Sequence, residues 1–178
     1  FTRDLWSTTR LSWLKSGYYR PLMLVSLAVD RALYGLSSAG AHVHSLLWHL
    51  GAVTALFALL RRLTHPWAAL AGAALFALHP VQVEVLALVA ARNDSMAAVF
   101  VLSALLLVLE PSSRSPLRLG GAAILVLCGL LSKESAVLAP IMLLALDVAR
   151  PDGGASAAKK GGSLHAGWPR YVAMLAAL

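Results

Sequence analysis

The chain has 178 residues, of which 59% are hydrophobic and only 13% charged, with a mean hydropathy of +0.74. Soluble domains carry about 25% charged residues, so this composition excludes an ordinary water-soluble fold and points to a membrane protein. The net charge of +7 is therefore read as orientation in a bilayer and attraction to anionic lipid or phosphate, with no nucleic-acid partner.

The chain begins at Phe1 and ends at Leu178 inside an apolar run, and is expected to be a piece truncated at both ends. Residues 1–38 mix Asp4, Trp6, Arg10, Trp13, Lys15, Tyr18, Tyr19 and Arg20 with an amphipathic stretch. No window there is apolar enough to span. Tryptophan and tyrosine favour the interface, so an outer-face loop with short interfacial helices is expected. Pro21 suits a first helical turn, and Gly35 suits a helix end.

A transmembrane bundle is expected over 39–149. Its first span runs from Ala41 to Leu60 and is followed by Arg61 and Arg62. The next apolar run, from Trp67 to Leu78, meets His79-Pro80. A proline there kinks or ends the crossing, and 81–92 is expected as a re-entrant or interfacial helix on the outer face. Further spans are expected over Ser95–Leu109, Leu119–Leu131 and Ser135–Val148. Residues 150–167 read as a cytoplasmic loop, and 168–178 as the start of another span opened by Trp168. The fold class is all-α, a polytopic transmembrane helical bundle.

Loop charge sets the expected orientation. Arg61, Arg62, Arg114, Arg118, Arg150, Lys159, Lys160 and Arg170 fall on one side, Arg92 and Lys133 on the other. The basic side is expected to be cytoplasmic. Arg3, Arg10, Lys15, Arg20 and Arg31 break the pattern from the outer side.

This topology gathers Asp4, Arg20, Asp30, His42, His79, Glu84, Arg92, Asp94, Lys133 and Glu134 at the outer face. Each has a plainer reading. Asp94 caps a helix starting near Ser95, and Ser132 caps the next. Arg92 and Lys133 snorkel to headgroups. His79 satisfies backbone groups freed by Pro80. Glu84 resists such a reading, because a carboxylate inside the apolar run Val81–Ala91 wants a partner or a wet cavity. His42, Ser45 and His49 share one face of the first span and suit interhelical hydrogen bonds better than a metal site. No metal or cofactor is expected. Asp147 and Arg150 are expected to pair within one helix.

Several blocks then resemble a known family. They are Tyr19-Arg20-Pro21-Leu22, Ser26, Asp30, His42 and His49, and the long block from Leu75 through His79-Pro80-Val81-Gln82-Val83-Glu84. Ala91-Arg92-Asn93-Asp94, Leu131-Ser132-Lys133-Glu134-Ser135 and Pro140 follow. In this order they resemble the membrane region of the tetratricopeptide-repeat transmembrane O-mannosyltransferases and their bacterial relatives. Arg3-Asp4-Leu5-Trp6 resembles the end of the family's first outer loop. Ser45 stands where relatives often carry asparagine, and Ala91 where they usually carry glycine.

The resemblance implies a GT-C-like fold and a multi-pass glycosyltransferase. Such an enzyme moves a mannose-like sugar from a polyprenyl-phosphate donor to a hydroxyl of an acceptor protein at the extracytoplasmic face. The compartment is the bacterial cytoplasmic membrane, or the endoplasmic reticulum in a eukaryote. The partners implied are membrane lipid, the lipid-linked sugar and the acceptor protein. Arg92 and Lys133, with Arg20 as a third cation, are expected to bind the donor phosphate. Glu84, His79 and Asp4 are the expected catalytic residues on the acceptor side. The family's acidic catalytic motif is expected upstream of Phe1 and its repeats beyond Leu178. The alternatives are a non-catalytic membrane scaffold for a repeat domain, and a transporter, which would need matched broken helices in two halves.

Overall fold

The computed structural model describes residues 20–109, 115–149 and 163–177. Asp4 lies outside them, as do Arg114, Arg150, Lys159 and Lys160. The described residues are all-α and contain no strand.

Proline opens half of the α-helices among the described residues, because its fixed φ and missing N–H suit the first turn. Helix α1 (Pro21–Tyr34) starts on Pro21 and ends at Gly35, whose φ of 64° is the left-handed conformation that glycine adopts without strain. Helix α2 (Ser38–Leu63) is capped by Ser37, whose hydroxyl accepts from the Gly40 amide, and carries Arg61 and Arg62 in its last turn. Helix α3 (Pro66–Leu78) is capped by the His65 side chain. His79 then adopts an extended backbone, as a residue before proline prefers. Helix α4 (Pro80–Ala87) follows at a bend of 51° to α3.

A 3₁₀ turn, Val89–Ala91, leads into α5 (Arg92–Val108). Helix α6 (Pro116–Ser132) returns, and a second 3₁₀ segment, Glu134–Leu138, joins it to α7 (Ala139–Ala149). Helix α8 (Ser163–Leu175) carries Pro169 inside it. It begins well before Trp168, within the stretch expected as loop.

Helix α5 is the centre of the packing. Its Val101, Leu102, Ala104, Leu105 and Val108 are buried against Leu59 of α2, Ala122 and Val126 of α6, Leu143 of α7 and Met174 of α8. About half of its apolar window is buried (56%) against 22% for α2, so α2 presents most of its surface outward. That outward surface carries Val43, Leu46, Leu47 and Leu50, which suits lipid and would be costly in water.

By length and composition, two stretches among the described residues can cross a membrane, Ser38–Leu63 and Val89–Val108, with α3 and α4 as a bent third. The span expected at 119–131 comes out longer, and the one expected at 135–148 comes out shorter. Helix α6 has 17 residues and α7 only 11, because the chain between them is 3₁₀. By 1.5 Å per residue α7 is about 17 Å long, against a hydrocarbon core of about 30 Å.

The helices run alternately, and this sorts the polar residues to two ends. At one end Arg62 donates to the Leu106 carbonyl at 2.9 Å, and Arg170 pairs with Asp147. At the other end lie the starts of α2 and α5, the ends of α3 and α6, and all of α4.

Candidate functional site at the polar end of the bundle

Three ion pairs are built at this second end, each joining segments far apart in sequence. Arg20, just before α1, forks onto Glu134, with Nη2 3.0 Å from Oε2 and Nε 3.4 Å from Oε1. Lys133 pairs with Asp94 in the first turn of α5. Arg92 pairs with Asp30 of α1, Nη2 to Oδ2 at 2.6 Å. Lys133 and Glu134 are consecutive, so the first two pairs lie side by side. Both are partly open to solvent: Lys133 is 31% exposed and Arg20 25%. The Arg20 hydrogen bonds hold the Glu134 carboxyl below the ordinary glutamate range.

The third pair is different in kind. Arg92 is completely buried. Its Nε donates to Ser45 Oγ at 2.9 Å, Nη1 to Ser26 Oγ at 2.7 Å and Nη2 to the Ala41 carbonyl at 2.7 Å. Each of its three nitrogens thus donates one hydrogen bond inside the protein, and the Asp30 carboxylate balances the charge. Arg92, expected as a phosphate ligand, is here bonded within the protein rather than presented to solvent. It starts α5 and turns inward between α1 and α2, rather than snorkelling to the surface.

His44, which the sequence reading did not single out, completes this network. Its Nε2 accepts from the Trp48 indole N–H at 3.1 Å, which leaves the proton on Nδ1, and Nδ1 donates to Asp30 Oδ1. Burial of Asp30 disfavours its charge, but Arg92 and His44 outweigh that and hold its carboxyl below the ordinary range. The available signal was the i, i+4 spacing of His44 and Trp48 beside Ser45.

The other histidines of α2 make interhelical bonds, as their spacing suggested. His42 Nδ1 donates to the Leu86 carbonyl of α4 at 3.1 Å, and His49 Nε2 to the Ala77 carbonyl of α3 at 3.3 Å. Ala77 sits where Pro80 has interrupted the helical ladder, so His49 supplies a donor that the backbone lacks. Together they fasten both arms of the bent α3–α4 pair to α2.

His79 lies at the bend, exposed, and its Nδ1 accepts from the Val81 amide as the cap of α4. The plainer reading of His79 is therefore realised. Glu84 is exposed on α4 and has no side-chain partner among the described residues. Asp94 does not cap α5, which starts at Arg92 with no side-chain cap. Ser132 caps nothing either, since its hydroxyl donates back to the Cys128 carbonyl at 2.9 Å. Asp147 pairs across helices with Arg170 and accepts from Tyr171 at 2.7 Å. No cluster of metal-ligating side chains occurs among the described residues.

This end therefore offers two partly exposed cations, each on a carboxylate that a stronger anion could displace, and a separate carboxylate on α4 without a partner among the described residues. Such a set can hold a phosphate and accept a proton.

The family model described as dolichyl-phosphate-mannose-protein mannosyltransferase matches residues 16–167. Among curated proteins, the chain is 33% identical to protein O-mannosyl-transferase Tmtc2 of Drosophila melanogaster, over 84% of this chain and 17% of that protein. It is 31% identical to Tmtc1 of the same organism, over 84% of this chain and 18% of that one. It is 33% identical to human protein O-mannosyl-transferase TMTC2, over 60% of this chain and 13% of that protein. The chain thus spans less than a fifth of the length of these relatives. No solved structure matches it. With most of its length, its all-helical build and its membrane-type composition in agreement, the chain belongs to the dolichyl-phosphate-mannose-protein mannosyltransferase family.

Proposed function

We propose that this chain forms the donor-phosphate end of a GT-C-type membrane glycosyltransferase. The enzyme moves a mannose-like sugar from a polyprenyl phosphate to a protein hydroxyl at the extracytoplasmic face. The observation that carries the reading is the side-by-side placement of Arg20–Glu134 and Lys133–Asp94 at the end where Glu84 is exposed and unpartnered among the described residues. In the reaction the acceptor oxygen bonds to the anomeric carbon, and the bond from that carbon to the phosphate oxygen breaks. Arg20 and Lys133 leave their carboxylates for the phosphate and stabilise the charge that grows there. Glu84 takes the proton of the acceptor hydroxyl, with His79 fixing the start of its helix. Asp4 belongs to the same proposal through its motif alone.

A scaffold reading draws on one observation, that Arg20, Lys133 and Arg92 already have carboxylate partners. The two readings separate in membrane vesicles carrying the protein expressed from its complete gene and supplied with labelled polyprenyl-phosphate mannose. Glu84→Gln should lower transfer by roughly 10²–10⁴-fold, and Lys133→Ala should raise the KM for the donor. Full transfer by both variants at normal expression would remove these residues from the mechanism. No transfer by the wild type with several donors would favour the scaffold.

A further inference from the structure

We infer that Arg92 and Asp30 form a buried clamp that positions Arg20 and Lys133, and that Arg92 never touches the donor. The inference rests on the reading of this end as the donor site, and it assigns Arg92 a role different from that of the two exposed cations.

Three observations support it. First, one guanidinium joins three helices. It begins α5, bonds Ser45 and the Ala41 carbonyl of α2, and bonds Ser26 and pairs with Asp30 of α1. Second, the two helices it ties together carry the two exposed pairs. Arg20 immediately precedes α1, and Asp94, the partner of Lys133, lies in the first turn of α5. The distance between the two cations therefore depends on how α1 sits against α5. Asp30 lies about 15 Å along α1 from Arg20 at the helical rise, so a small tilt at the clamp becomes a larger displacement at the cation. Third, Arg92 has no exposed surface. A phosphate could reach it only if α1 left its seat.

The charge inside the clamp is balanced. His44, with its proton on Nδ1, gives the other Asp30 oxygen a donor without adding a charge. A buried pair of this kind has a diagnostic property. Removing one partner leaves an uncompensated buried charge, whereas replacing both with apolar residues of similar volume is often tolerated. A phosphate ligand behaves otherwise, because its function goes with the guanidinium whatever happens to Asp30.

The test uses the protein from its complete gene in vesicles, with the variants Asp30→Asn, Arg92→Met and the double variant Asp30→Leu with Arg92→Met. Two quantities are read: hydrogen exchange of residues 21–34, and kcat and KM with labelled polyprenyl-phosphate mannose. Each single variant should speed exchange in α1 and raise the donor KM by roughly tenfold or more, the scale on which misplacement of binding groups acts. The acceptor KM should stay unchanged. The double variant should restore both slow exchange and the donor KM without any guanidinium at position 92. A double variant that regains slow exchange but keeps the high donor KM would overturn the proposal and make Arg92 a ligand. Unchanged exchange in both single variants would overturn the clamp. A wild type that transfers no sugar would refute the proposed function instead, while the exchange measurement would still decide whether the clamp exists.

Discussion

Arg20 and Glu134 make a forked contact at the surface of the polar end, and its strength depends on pH. Arg20 holds the Glu134 carboxyl below its ordinary value of 4.5. A carboxylate depressed in the folded state contributes stability above its unfolded value, and that contribution is lost as pH falls through the folded one. Glu134 is 55% exposed, so the contribution is that of a surface pair, about 0–1 kcal/mol. Glu134→Gln should therefore lower the thermal midpoint slightly at neutral pH, and the difference should vanish in acid below the glutamate range. A difference that persists there would mean that Glu134 acts by packing. The residue types at this end were legible in the sequence, since charges in an apolar chain stand out. Their pairing was not. Arg20 and Glu134 are 114 residues apart, and nothing local says which carboxylate meets which cation.

Among the elements, proline was the most readable signal. Pro21, Pro66, Pro80 and Pro116 each stand at a helix start, and the break at His79-Pro80 was visible from the missing N–H alone. The 3₁₀ segment after Lys133 was not, because the Ser-Lys-Glu pattern looks like a helix cap and the tighter turn is imposed by packing. Gly129 shows that packing. A Cβ built there would lie 2.9 Å from the Ala136 Cβ of the 3₁₀ segment and 3.4 Å from Val101 of α5. Ala136 is buried and has no longer side chain to swing away. Gly129→Ala should cost about 1–3 kcal/mol, the usual range for overpacking. Gly120 in the same helix meets nothing within 4 Å, and Gly120→Ala should be neutral or stabilise the helix by up to about 1 kcal/mol. Chemical denaturation in detergent separates the two. Equal costs would show that the α6 contact with the 3₁₀ segment is loose.

For the whole molecule, the alternating direction of the helices and the separation of polar groups to two ends followed from apolar run lengths and loop charges. The number of crossings did not, because several runs fall short of a full span once their ends are fixed. Which end faces which compartment rests on the basic residues Arg61, Arg62, Arg118 and Arg170 at the end opposite Glu84. With Cys128 replaced by serine, a cysteine at the exposed Val83 should react with a membrane-impermeant maleimide from the extracytoplasmic side of sealed cells. A cysteine at the exposed Leu117 should react only after the membrane is opened. The reverse result would invert the orientation and move the proposed site to the cytoplasm.

Helix α2 has 26 residues and α5 has 17, so at the helical rise they measure about 39 Å and 26 Å. The two pack together, yet α2 overshoots a hydrocarbon core of about 30 Å, whereas α5 with the 3₁₀ turn before it, Val89–Val108, matches it. A bilayer accommodates such surplus length by tilting the long helix or by letting its end stand out. If α2 keeps Arg61 and Arg62 at one headgroup layer, about its first turn rises out of the opposite face. That turn ends at Ala41, so the Arg92 bond to the Ala41 carbonyl lies at the boundary between acyl chains and headgroups. The surplus length of α2 thereby makes the depth of this polar end sensitive to the thickness of the membrane.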